Sequence, residues 1–267
     1  MDFYTDKVVW ITGASSGIGK ELALQLSRQK ASLILTARNR DALQDIQRAC
    51  LQHTPNCALL PADLTDAGNL APLAQQALDT FGHIDVLINN AGVTQRAFAE
   101  DTAPEVDRRL MEINFFTPVA LTKLLLPHFR ARKTGHVAVL SSMAGLMGFP
   151  KRTAYAAAKH AIKGYFETLQ VEHTIPGFHA TIVSPGRIQT PISLNALTAS
   201  GQPHSKMDAG QQHGIPVEVC VRRILKAIAT HKRHLVIARS ERILWWLHKW
   251  CPPLYYRIAR NAGLKDE

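Results

Sequence analysis

Tyr155 and Lys159, four residues apart in Tyr-Ala-Ala-Ala-Lys, form the one pair in this sequence whose spacing suits proton chemistry. The run from Thr153 to Glu172 is alanine-rich, and Ala154, Ala158, Ala161, Ile162, Tyr165 and Leu169 recur at helical intervals, which predicts a helix. Residues four apart share a helix face, so both side chains point the same way. A phenol ionises near ~10 and is a poor acid-base group at neutral pH, but a fixed ammonium a few ångströms away favours the phenolate. Lowering its pKa by one costs about 1.4 kcal/mol, so one close cation is enough for a large change. Alone, the five residues could equally be a solvated i,i+4 pair. Ser142 tips the balance. It ends Gly135-His-Val-Ala-Val-Leu-Ser-Ser142, which reads as a buried strand, and open α/β sheets bind ligands at the carboxyl ends of their strands. There a hydroxyl could hydrogen-bond a carbonyl oxygen. Ser141 could serve instead, and either serine could cap a turn.

These residues need a scaffold and a reactant, and the N-terminal stretch suggests both. Lys7-Val-Val-Trp-Ile-Thr12 reads as a buried strand, Gly13-Ala-Ser-Ser-Gly17-Ile-Gly19 as a tight loop, and Lys20 to Gln29 as an amphipathic helix. Glycines let a backbone turn sharply against a pyrophosphate, and a helix N-terminus offers unpaired N–H groups to it. Strand, loop and helix in this order predict a dinucleotide site using Gly13, Ser15, Ser16, Gly17, Ile18 and Gly19. The second strand, Ser32 to Ala37, ends in Arg38 where an NAD site would place an acid. Arg38 can meet the 2′-phosphate of NADP instead, or it can be a surface residue opening the helix Asn39 to Leu51. NADP(H) is therefore expected over NAD(H).

A third strand, Cys57 to Pro61, leads to Asp63 and Leu64, placed to flank an adenine, although Asp63 could simply cap a turn. A fourth strand, Ile84 to Asn89, runs into Asn90, Ala91 and Gly92, whose small size would let the backbone lie along a cofactor. Strands alternating with helices predict one parallel sheet covered on both faces. A long apolar helix is expected over Pro104 to Arg132, with Asn114 either satisfying a kinked backbone or holding a water. After the strand His179 to Ser184, Pro185 and Gly186 turn the chain, and backbone there with the Thr190 hydroxyl could bind a carboxamide. Residues 191–214 are polar and broken by Gly201, Pro203 and Gly210, which predicts a lid ahead of a helix at Val217 to Thr230. Val93, Met143 and Ile192 are expected at the substrate, with Leu146, Met147, Phe149 and Leu194 nearby as an apolar wall or as ordinary loop packing.

At 267 residues and 46% apolar content, the chain can bury one large core, and no repeat or low-complexity run interrupts it. Cys50, Cys57, Cys220 and Cys251 show no metal-ligand spacing, so no metal is expected and the thiols read as reduced, in an intracellular protein. Val8 to Ile11 is too short for a signal or membrane segment. The net charge of +10 is uneven: residues from Arg222 onward carry eleven Lys/Arg against three Asp/Glu. Ile243, Trp246, Leu247 and Trp250 fall on one helical stripe beside Arg242, His248 and Lys249. Such a segment, 239–260, could lie on a membrane surface or pack against the domain or a second subunit. Nucleic-acid binding would rest on charge alone and is not expected.

Together, Thr12 to Gly19, Asn89 to Gly92, Asn114, Ser142, Tyr155 to Lys159 and Pro185-Gly186 resemble the short-chain dehydrogenase/reductase family, over about Lys7 to Ala238. The resemblance implies a Rossmann-type, doubly wound parallel sheet of about seven strands in order 3-2-1-4-5-6-7. It implies one catalytic domain, residues 1–238, with 239–267 as a C-terminal extension. It implies Tyr155 as acid-base residue, Lys159 lowering its pKa and holding the nicotinamide ribose, Ser142 orienting the carbonyl, and Asn114 maintaining a water relay. Many NADP-preferring members carry a basic residue inside the glycine loop, and Ala14-Ser15-Ser16 has none. More narrowly, Asn89 to Arg96, Leu121 to Pro127, and Ser193 to Gly201 with Met207-Asp208 resemble the member-seven and seven-B group, membrane-associated reductases of lipophilic carbonyls. Their N-terminal anchor has no counterpart here, so a cytoplasmic location, with membrane contact only at the surface, is expected. The family's pairing through its two long helices implies a dimer or tetramer. Reduction of a lipophilic ketone or aldehyde by NADPH is the expected function, with a non-catalytic nucleotide-binding scaffold as the alternative; a scaffold would need neither Ser142 nor Tyr155-Lys159.

Overall fold

The computed structural model describes residues 2–172 and 174–263; residues 264–267 of the expected C-terminal extension lie outside these. Seven strands form one parallel sheet: β1 Val8–Thr12, β2 Ser32–Thr36, β3 Cys57–Leu59, β4 Val86–Asn89, β5 Gly135–Leu140, β6 Phe178–Pro185 and β7 His234–Ile237. Their order is β3-β2-β1-β4-β5-β6-β7, as the motifs implied. The direction of crossover reverses between β1 and β4, and at such a switch point a crevice opens outside the strands' carboxyl ends.

Two-residue alternation assigns each strand's side chains to opposite faces. Val9 and Ile11 of β1 join the core beneath helices α1 (Gly17–Arg28), α2 (Arg40–Leu51) and α8 (Val217–Ala229). Val8 and Trp10 face the other layer, built from α3 (Leu70–Phe81), α5 (Thr117–Arg132) and α6 (Thr153–Glu172). Strands buried on both faces explain why the sequence shows apolar runs here rather than alternation. The Asn39 carboxamide caps α2 by accepting from Ala42 N–H, so the helix starts at Arg40.

Three sequence expectations change. The helix foreseen over Pro104 to Arg132 is α4 (Pro104–Met111) and α5 joined by a π-helical turn, Glu112–Phe116. Within that turn the buried Asn114 amide donates to the carbonyls of Leu110 and Val93, each at 2.9 Å, so it satisfies backbone that a wider turn leaves open. Second, residues 191–214 are not structureless. Leu197 pairs with residues 94–96 through Leu197 N–H to Thr94 O and Arg96 N–H to Leu197 O, both 2.8 Å, and α7 (Ala209–Gln212) follows. Third, the stripe expected at the C-terminus divides between two surfaces. In α9 (Glu241–Trp250), Leu244, Trp245 and Leu247 pack on Met143, Leu146 and Met147, while Ile243, Trp246 and Trp250 stay exposed. The reason is α10 (Pro252–Gly263), whose buried Tyr255 donates its hydroxyl to Gly148 O and turns the helix pair onto the loop after β5.

Candidate active site

The carboxyl ends of β1, β4, β5 and β6 open into a cavity of about 870 Å³. Of the predicted residues, Gly13, Ser15, Ser16, Gly17, Ile18, Arg38, Asp63, Leu64, Asn90, Ala91, Gly92, Val93, Asn114, Ser142, Met143, Tyr155, Lys159, Pro185, Gly186, Thr190 and Ile192 line it. Gly19 does not: it sits behind the loop, where an added Cβ would stand 2.1 Å from Gly13 O. Its role is close packing of α1 against the turn. Gly13 (φ +67°) and Gly17 (φ +53°) take the left-handed conformations that the loop requires. Asn90 holds the loop from the far side, its amide donating to Thr12 O and Gly13 O at 3.0 Å each. The result is a backbone cradle at a helix N-terminus, with the Ser16 side chain making no cap bond. Shape and chemistry fit a dinucleotide pyrophosphate.

At the adenosine end, the exposed Arg38 guanidinium lines the groove together with Arg109 of α4, a residue no sequence motif marks. Asp63 turns out to hold a turn, accepting from Thr65 N–H at 2.9 Å and Thr65 Oγ1 at 2.8 Å, while still lining the groove. Burial would raise its carboxyl, but the Thr65 bonds and the Arg38 and Arg109 charges hold it below the ordinary range.

At the other end, the two serines make different bonds. Ser141 Oγ donates to Lys159 O at 2.9 Å and is spent on structure. Ser142 Oγ accepts from Ala144 N–H at 3.1 Å and lines the cavity together with the Tyr155 phenol. Lys159 lies one turn further along α6. Its Nζ donates to Leu140 O at 2.7 Å and lies 5.7 Å from the Tyr155 ring centroid. Burial pushes the ammonium down to about 7. Burial likewise raises the Tyr155 phenol, and the groups that draw it back are the Ser142 hydroxyl and the charges of Arg152 and Arg96. Two arginines outside the Tyr-Lys motif thus add to the charges that favour the phenolate. Asn114 Oδ1 accepts no hydrogen bond from the described residues; it and Lys159 Nζ lie 2.6 and 3.5 Å from the position a Cβ on Gly92 would occupy.

The apolar wall expected around the substrate is only partly present. Val93, Met143, Phe149 and Ile192 line the cavity, but Leu146 and Met147 pack beneath the C-terminal helices, and Leu194 is not in the lining. Thr190 lines the cavity with its hydroxyl 3.2 Å from Gln211 Nε2 and 3.4 Å from Ile188 O. Two more polar residues were not foreseen. Glu241, buried at the start of α9, accepts from Arg187 N–H at 2.8 Å and Arg239 N–H at 3.1 Å beside the Pro185-Gly186 turn. Fully buried Gln95 caps the first turn of α6: its Oε1 accepts from Ala154 N–H at 3.0 Å and Tyr155 N–H at 3.4 Å.

A family model for short chain dehydrogenase matches residues 7–200. The chain belongs to that family. It is 40% identical to bovine dehydrogenase/reductase SDR family member 7B over 272 residues, covering 99% of this chain and 83% of that protein. A short-chain dehydrogenase from Streptomyces avermitilis superposes with a TM-score of 0.81 at 26% identity, covering 97% of this chain and 99% of that one. A short-chain dehydrogenase from Sphingobium yanoikuyae, solved in complex with NADPH, gives 0.77 at 25% identity over 86% and 87% of the two chains. Membership makes the protein an NAD(P)-dependent oxidoreductase. Among the described residues no helix is long and apolar enough to cross a membrane, and no cluster could hold a metal ion.

The cap on α6 is testable. Gln95→Leu leaves two buried N–H groups without their acceptor, so urea unfolding should show a loss of about 1–3 kcal/mol. Turnover should fall with it because the first turn carries Tyr155, and Gln95→Glu, which keeps the acceptor, should recover most of both. Unchanged stability and rate in Gln95→Leu would deny the cap its role.

Proposed function

We propose that this protein is an NADPH-linked reductase that converts a carbonyl on a largely apolar small molecule to an alcohol, with the reverse oxidation open to it. The observation that carries the proposal is that Ser142 and Tyr155 line the same cavity as the glycine-loop cradle, with Lys159 beside them. The glycine loop and the N-terminus of α1 would hold the cofactor's pyrophosphate, Lys159 the ribose, and the turn at Pro185, Gly186 and Thr190 the carboxamide. When bound, the reduced nicotinamide supplies the hydride to the carbonyl carbon. Ser142 donates a hydrogen bond to the carbonyl oxygen, fixing its orientation. Tyr155 delivers its phenolic proton to that oxygen as the C=O π bond becomes a C–O–H group. Lys159 Nζ and Asn114 Oδ1 both border the point beside Gly92, and a water held there would return a proton to the phenol.

Arg38 supports NADPH over NADH, since its guanidinium sits in the groove at the end of β2 and a 2′-phosphate offers it charge-assisted hydrogen bonds. Exposed Phe116 and Leu124, on the π turn and α5, support a dimer or tetramer built on the long helices. Peripheral membrane contact is supported by Ile243, Trp246, Trp250, Leu254, Tyr256 and Ile258. All are exposed on α9 and α10 among the exposed basic residues Arg242, Lys249, Arg257 and Arg260. An anionic lipid surface suits both the aromatic and the basic side chains. The same helices pack on the loop that follows Ser142, so a lipophilic carbonyl compound would reach the cavity from that surface.

Tyr155→Phe should abolish NADPH oxidation with a panel of ketones while leaving NADPH binding within a few-fold; substantial residual turnover would displace Tyr155 as the proton donor. Arg38→Ala should weaken NADPH about 10- to 100-fold, the worth of one charge-assisted hydrogen bond, with NADH little changed. A wild-type affinity for NADPH no greater than for NADH would remove Arg38 from this role. Vesicles containing phosphatidylserine should co-sediment the protein, and Trp246→Ser with Trp250→Ser should release it; a protein that stays in the supernatant is no membrane binder.

A further inference from the structure

The substrate end of the cavity contains a salt bridge that the reduction chemistry does not use. Arg96 grips Asp208 with two nitrogens, Nε to Oδ2 at 3.1 Å and Nη2 closer still, and Arg152 Nη2 stands 3.6 Å from the same oxygen. Arg96 is 9% exposed and Asp208 17%. The two partners come from different kinds of structure. Arg96 follows β4 and is held by its own neighbourhood, with Nη1 donating to Gln95 O and reaching Thr94 Oγ1 at 3.2 Å. Asp208 sits on the covering segment 191–214, tethered there by Asp208 N–H to Ser193 Oγ at 3.2 Å. All three side chains line the main cavity with Ser142 and Tyr155, and all three also line a second cavity of about 340 Å³ bounded by Phe98, Pro150, Thr198 and His204. They are the partition between the two spaces.

A guanidinium presenting Nε and Nη2 to a carboxylate is a geometry that any carboxylate can satisfy. The position already holds one, supplied by the chain itself on its covering segment. Breaking a partly buried pair is costly unless another anion takes the vacated place, so an apolar ligand has no means of moving Asp208, whereas an acid can exchange with it. We propose that Arg96, reinforced by Arg152, is a carboxylate subsite, occupied here by Asp208 of the covering segment and taken in turnover by the carboxylate of an oxo acid whose ketone or aldehyde lies at Ser142 and Tyr155. This rests on the reductase reading and narrows its substrate class from lipophilic carbonyls to amphipathic ones. The charges of Arg96 and Arg152 also bear on the Tyr155 phenol, so exchange of the anion at this point is felt at the proton donor.

The test uses decanoate and methyl decanoate as matched probes, titrated calorimetrically into the full chain with NADP bound. Decanoate should bind at least tenfold more tightly than its ester. Asp208→Asn, which removes the resident anion while keeping the shape, should tighten decanoate further and leave the ester unmoved. Arg96→Gln should bring acid and ester together, and Arg96→Lys, which keeps the charge without the fork, should retain part of the preference. Equal affinity for acid and ester in the wild type, or a preference that survives Arg96→Gln, overturns the proposal and leaves the pair as a lock on the covering segment. Binding is read without turnover, so NADPH oxidation with an uncharged ketone in the same preparation judges the reductase reading separately.

Discussion

The end of β5 and the middle of α6 are stitched together by two opposed hydrogen bonds: Ser141 Oγ donates to Lys159 O, and Lys159 Nζ donates to Leu140 O. An ammonium buried this deeply costs several kcal/mol unless oxygen faces it, and a strand's last carbonyl is an oxygen with no ladder partner to lose. The stitch fixes where α6 lies over the sheet. Tyr155, one turn earlier, then has one position available, and Ser142, one residue past Ser141, meets it there. The proximity of two hydroxyls from segments thirteen residues apart follows from an interaction that neither hydroxyl makes.

Around that stitch the remaining parts of the site are borrowed from distant segments, each tied by backbone as well as side chain. Gln95, just beyond β4, caps the helix bearing Tyr155. Leu197 extends the same stretch with a short pairing, which brings the covering segment over the cavity. Glu241 reaches back from α9 to the turn after β6. A cavity walled by so many separate pieces of chain holds its shape only when the whole domain is folded, and this suits a reaction that depends on the placement of one proton donor.

The scaffold was readable because its signals are local. The glycine loop, the buried strands and the helix periodicity each sit within a dozen residues and predict a covered parallel sheet, and the family resemblance they carry adds the strand order that the sheet shows. Much of the site was not local. Helical spacing puts Lys159 on the same face as Tyr155, but spacing does not reveal that its ammonium is also anchored by Leu140 O. Arg109, Arg152 and Glu241 carry no motif, and Arg96 falls in a motif that says nothing of its distant partner Asp208. Asn114 was read as a kink or a water ligand, and it meets the first description through the π turn. The C-terminal stripe misled because a helical wheel treats a helix as alone, whereas α10 turns Leu247 inward and leaves Trp246 and Trp250 outside.

Glu241 gives the last helices a hold on the interior of the enzyme. It is the first residue of α9, and its carboxylate supports the amide of Arg187 directly after Gly186. Everything C-terminal to it therefore hangs from a lever whose short arm ends at the turn after β6, on the wall of the cavity. Cargo attached to the tail, or a proteolytic nick between β7 and α9, would be felt at the cavity wall.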